Sequence, residues 1–96
     1  MQLQVTGEVW YWRGPAPFHF VTLPEPLSAQ IRAVAPALTY GWGMIPVVAT
    51  IGEITFETSM FRKNELYVVP IKNVVRHGEG IEVGDTVTID LVMTPR

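Results

Sequence analysis

The stretch that decides the fold is Met44-Ile45-Pro46-Val47-Val48-Ala49-Thr50-Ile51-Gly52-Glu53-Ile54-Thr55-Phe56-Glu57-Thr58-Ser59-Met60-Phe61. Two β-type runs meet at Gly52-Glu53, and a two-residue Gly-x connection is the signal of a tight hairpin. On the returning run Ile54, Phe56, Thr58 and Met60 alternate with Thr55, Glu57, Ser59 and Phe61. One face is mainly apolar and the other mostly polar, which predicts a sheet covered on one side.

The same pattern extends outward in both directions. Upstream, Leu3 to Trp12 mixes β-branched and aromatic residues, with Gly7 marking a bend or bulge. Arg13-Gly14-Pro15-Ala16-Pro17 is a turn, and Phe18 to Leu23 resumes as a second strand. Pro24-Glu25-Pro26 opens the one convincing helix, in which Leu27, Ile31, Val34 and Ala35 form an apolar stripe. Pro36 is expected to end it, so the helix is placed at about 26–35. Ser28 is read as a residue of its outer surface.

Downstream, Arg62 to Glu65 turns the chain into a strand from Leu66 to Ile71. A short helical turn is placed at about 72–77, and Thr86 to Val92 forms the last strand, with Val87, Ile89 and Leu91 on one face. Phe20-Val21-Thr22-Leu23-Pro24 before the first helix is echoed by Tyr67-Val68-Val69-Pro70-Ile71 before the second. The expected fold is all-β with one main helix: a small six- to seven-stranded barrel whose closure removes exposed edges. The 96 residues make a single domain.

Composition narrows the function classes. Hydrophobic residues make up 48% of the chain and charged residues 17%, enough apolar surface for a packed core. The absence of cysteine excludes disulfides, thiolate metal sites and thiol catalysis. A net charge of −2, with basic residues dispersed along the chain, disfavours nucleic-acid binding. There is no signal-peptide pattern and no apolar run long enough to span a bilayer, so a cytoplasmic protein without a membrane role is expected.

Several short runs in order, including Gly7-Glu8-Val9-Trp10, Gly14-Pro15-Ala16-Pro17-Phe18-His19-Phe20, Gly41-Trp42-Gly43, Thr58-Ser59-Met60-Phe61, Val69-Pro70-Ile71-Lys72 and Gly84-Asp85-Thr86-Val87, resemble the domain-of-unknown-function 1905 family over essentially the whole chain. The resemblance implies a small bacterial β-barrel of double-split type, related in fold to transition-state regulators and antitoxins. It implies no activity and no catalytic residue.

The candidate site residues are Trp10, Trp12, Arg13, His19, Tyr40, Trp42, Lys72 and Arg76. The tryptophans are expected to plug the barrel, with a pocket lining or a dimer contact as alternatives. Tyr40-Gly41-Trp42-Gly43 is read first as a helix-to-strand connection that needs unusual backbone angles. Lys72 and Arg76, four apart, share one side of a helical turn and suit an anion, unless Glu79 and Glu82 neutralise them. No nucleophile–base pair, metal-ligand set or cofactor motif is present. The favoured reading is a non-enzymatic binding or protein-interaction module that forms a homo-oligomer. A small-molecule or anion site near Trp42, Lys72 and Arg76 is the first alternative, and a regulator- or antitoxin-like DNA-associated protein the second.

Overall fold

In a computed structural model, which describes residues 1–39, 41 and 43–94, six strands and two helices follow one another. They are β1 (Gln2–Trp12), β2 (Phe18–Thr22), α1 (Glu25–Leu38), β3 (Ile45–Ile51), β4 (Ile54–Lys63), β5 (Leu66–Ile71), α2 (Asn73–Glu79) and β6 (Thr86–Val92). The strands close into an antiparallel barrel in the order β1-β2-β5-β4-β3-β6. The hairpin read from Gly52-Glu53 is present, with Ile51 opposite Ile54 and Ile45 opposite Met60.

The two longest strands are each divided between two sheets, which gives the barrel its double-split form. The N-terminal part of β1 pairs with β6 from Gln2 to Glu8, and its last residues pair with β2 from Val9 to Trp12. Likewise β4 pairs with β3 through Met60 and with β5 from Phe61 onward. Gly7 lies just before the switch in β1, where a Cβ would approach the Val21 side chain to 2.9 Å. A missing side chain there lets β1 cross close over β2.

The echo between the two proline-ended segments corresponds to a symmetric topology. Exchanging β1-β2-α1-β3 with β4-β5-α2-β6 leaves the barrel order unchanged. The echoed strands β2 and β5 pair with each other, Phe20 opposite Pro70 and Thr22 opposite Val68. α1 follows β2 at one end of the barrel, and α2 follows β5 at the other.

Inside the barrel the packing is aliphatic: Val5, Val9, Val21, Val69, Ile71, Ile89 and Leu91 are all buried, with Phe56, Met60 and Tyr67 as the large members. α1 adds Ile31 and Leu38 to this core, and α2 adds Val75. The helix thus runs one turn beyond the expected end at Ala35, through Pro36. Pro36 removes one helical hydrogen bond, but its ring sits on the exposed side of the helix. Burying Leu38 favours the extra turn by about 1.5–3 kcal/mol, and the Thr39 N–H to Ala35 carbonyl bond at 2.9 Å continues it. The second helix starts and ends later than the 72–77 read from sequence, with Lys72 as its N-cap.

Ser28 is fully buried, not on the helix surface. Its hydroxyl donates to the Leu23 carbonyl at 3.1 Å and accepts from the Tyr67 N–H at 3.1 Å, so one side chain ties α1 to the end of β2 and to β5. No helix is long and apolar enough to cross a membrane.

Candidate functional site

Residues alternate across a strand, so the neighbours of core positions point out of the barrel. On the sheet β1-β2-β5-β4 the core side holds Val9, Val21, Val69 and Met60. The opposite side therefore carries Trp10 and Trp12 from β1, Phe18, Phe20 and Thr22 from β2, Leu66 and Val68 from β5, and Phe61 and Lys63 from β4. Trp10 and Trp12 do not plug the barrel as expected. An aliphatic core already fills it, and the rings form a second apolar cluster on its outside.

This outer cluster is packed. Phe20 sits at its centre, with ring centroids 5.3 Å from Trp10, 5.8 Å from Phe18 and 5.7 Å, edge-on, from Phe61. Phe20 is 3% exposed and Val68 1%, although both point away from the barrel interior. The Trp10 indole N–H donates to Thr22 Oγ1 at 2.8 Å, which satisfies its one polar atom and fixes its ring. Lys63 Nζ lies 4.2 Å from the centroid of the Trp12 ring, a cation–π contact that closes the cluster's far side. Trp10, Trp12, Phe18 and Phe61 stay half-buried.

Between Trp10 and Lys63 the cluster leaves a hollow of about 200 Å³, bounded by Trp10, Leu66 and Val68 and by the polar Thr22, Lys63 and Asn64. Lys63 is the one charged side chain among the outward positions of these paired segments. The opposite sheet's outer face differs in sign. It presents Glu8, Glu57 and Asp90 among threonines and glutamines, with the exposed pair Val48–Val92 and Pro46, and no lysine or arginine.

The remaining candidates fall at the α2 end. His19 is opposite Tyr11 in the ladder, with ring centroids 4.7 Å apart, and opposite Ile71 on its other side. Partial burial lowers the His19 pKa from its ordinary 6.5, and the nearby Arg76 charge lowers it further. Arg76 is held by the Asn73 side chain at 3.1 and 3.4 Å and by the Ile81 carbonyl at 3.3 Å. Lys72 and Arg13 are exposed. Tyr40 and Trp42 lie outside the described residues.

Their neighbours Gly41 and Gly43 have φ of +130° and +71°, and a Cβ at either would meet nothing within 4 Å. Backbone angle, rather than close approach of another group, is what glycine supplies there. Thr39 braces the same connection, accepting from the Gly41 N–H at 3.1 Å and donating to the Met44 carbonyl at 2.8 Å. This connection is at the α1 end, so the fold does not bring it to Lys72 and Arg76. Among the described residues no three histidine, aspartate or glutamate side chains gather as a metal site would require.

Sequence reasoning singled out Trp10 and Trp12 but not Phe61, Lys63 or Leu66, which complete the cluster from β4 and β5. Their only signal was parity with Trp10 across pairings the sequence does not state. The sequence profile of the domain of unknown function (DUF1905) matches residues 6–91. No curated protein matches the chain. The chain belongs to the DUF1905 family.

Proposed function

We propose that this member of the DUF1905 family is a non-enzymatic protein-interaction module, and that its contact surface is the aromatic outer face of β1-β2-β5-β4. The occupant is a segment of a partner protein that carries an apolar side chain beside a carboxylate. The observation that supports this reading is the hollow beside Trp10: an apolar floor, with Lys63 and Asn64 on its rim. At about 200 Å³ it is below the range of small-molecule sites and suits one inserted side chain. Half-buried tryptophans around a packed centre are the residues on which binding energy concentrates. The face carries a cation and no carboxylate, so an acidic segment is favoured over a basic one.

The test is selection of displayed peptides against the wild-type domain, followed by titration of the enriched peptides into Lys63→Glu and Leu66→Glu variants. Enriched peptides should pair an apolar residue with Asp or Glu, shift the Trp10 indole N–H resonance, and lose binding to both variants. Failure to enrich any peptide, or peptides that bind Lys63→Glu as tightly as wild type, overturns the proposal. If the domain self-associates and Leu66→Glu abolishes this, the occupant is a second copy, and the partner-protein reading is wrong.

A further inference from the structure

The aromatic face ends differently at its two turns. On β1-β2 the last ladder pair before the turn is Trp12 opposite Phe18, and rings cover that end. On β4-β5 the counterpart is Lys63 opposite Leu66, joined by the two-residue turn Asn64-Glu65. These side chains supply no ring, and the hollow beside Trp10 opens among them.

A second hollow lies on the other side of the same turn. It holds about 630 Å³ and is bounded by Gly43, Met44, Phe61, Arg62, Asn64 and Glu65. It forms where β4 parts from β3: that ladder ends with Ile45 opposite Met60, and from Phe61 onward β4 pairs with β5. Met44 precedes the inward-facing Ile45 and Phe61 follows the inward-facing Met60, so both lie on the outer side, where they are half-buried. The Arg62 backbone faces this gap. Its ladder partner Tyr67 turns its N–H to Ser28 and its carbonyl to Leu23, away from β4, and in such a pair both residues point outward. The two hollows meet at Asn64, which bounds both. Arg62 is paired with Glu65 at 3.1 Å, so the rim of the second is neutral. Lys63 has no carboxylate partner among the described residues, and its ammonium rests on the Trp12 ring.

We infer that this second hollow is a second anchor site for the same partner segment, which crosses Asn64 in extended form with its carboxylate at Lys63. The inference rests on the aromatic face being a peptide-binding surface, and it fixes the partner's pattern: an acidic residue between two apolar ones. The first hollow lies over β5 and the second beyond β4. Two strand spacings make about 10 Å, so the anchors stand about three extended residues apart. The smaller hollow takes an aliphatic side chain, and the larger an aromatic one, against the Met44 thioether and the Phe61 ring. The Arg62 N–H and carbonyl offer main-chain hydrogen bonds to the segment in the gap, as a strand edge does.

Titration of a peptide from the displayed selection into the wild-type domain, followed by the Met44 methyl and Trp10 indole N–H resonances, tests this. Bound peptide should shift both. Replacing its aromatic anchor by alanine should weaken binding about tenfold and remove the Met44 shift only. Met44→Glu should reproduce that loss, and Leu66→Glu should remove both shifts. The peptide substitutions are read on wild-type protein, so they decide the matter whether or not the variants fold. A peptide that shifts Trp10 but not Met44, and binds Met44→Glu as tightly as wild type, overturns the second anchor and leaves the peptide-binding face standing. If no peptide is enriched, both fall.

Discussion

Replacing Ser28 by alanine isolates the contact on which the junction of α1 with the barrel depends. The hydroxyl is fully buried and serves two backbone groups, accepting from Tyr67 N–H and donating to Leu23 C=O. Tyr67 cannot recover that bond from β4, because its own carbonyl already faces β2, accepting from the Leu23 N–H at 2.8 Å. Alanine therefore strands a buried donor and leaves the Leu23 carbonyl without this partner, at about 1–3 kcal/mol for an unsatisfied group. Its higher helix propensity offsets about 0.5 kcal/mol. The net loss is about 2 kcal/mol, and in a domain of this size it lowers Tm by roughly 10 °C. Urea unfolding followed by tryptophan fluorescence should show a lower midpoint at unchanged slope. Hydrogen exchange at the Tyr67 amide should accelerate beyond the global change. A variant within about 0.5 kcal/mol of wild type, the range of ordinary surface substitutions, refutes the buried tie.

Phe20→Ala should cost about 3–5 kcal/mol in urea unfolding, as for a core phenylalanine, although Phe20 points out of the barrel; a loss below about 1 kcal/mol would show that the outer cluster is not a packed unit. Asn64 and Glu65 both have positive φ, 53° and 75°, and Glu65 occupies a position that glycine would hold without strain. Glu65→Gly should leave stability unchanged or raise it by up to about 1 kcal/mol, since relief of the backbone competes with loss of the exposed Arg62 ion pair. A clear fall in the urea midpoint would show that the Arg62–Glu65 pair outweighs the strain.

What the sequence made legible follows from how local each signal is. The Gly52 hairpin and the alternation of Thr86 to Val92 are written in adjacent residues, and both read correctly. The extension of α1 past Pro36 was not, because the rule that proline ends helices is local, whereas the burial of Leu38 is tertiary. Ser28 was misplaced for the same reason: its acceptor role belongs to Tyr67, on a strand whose position the helix sequence does not encode. The aromatic site was half legible. Val9-Trp10, Phe20-Val21 and Val68-Val69 are apolar on both faces, so periodicity showed two sides without showing which faced inward. Pairing settles it: Val21 opposite Val69 inside, Phe20 opposite Pro70 outside.

That two-sided apolarity is also what separates the barrel's two halves. Sheet β1-β6-β3-β4 has one dry face, and its outer positions hydrogen-bond to one another, Thr6 with Thr88 at 2.9 Å and Gln4 with Asp90 at 2.9 Å. Its exposed apolar residues are aliphatic, Val48 opposite Val92 beside Pro46, and it carries no ring. Sheet β1-β2-β5-β4 carries rings on its outer side that only partly cover one another, and no helix lies over them, since α1 and α2 are placed at the barrel ends. Stability accounts for Phe20 and Val68, which are sealed. It does not account for leaving Trp10 and Trp12 half-buried with a hollow between Trp10 and Lys63, because smaller aliphatic residues on that rim would expose less apolar surface. The rim is therefore the part of the cluster that folding alone does not require, and the place where selection for a partner is expected to be written.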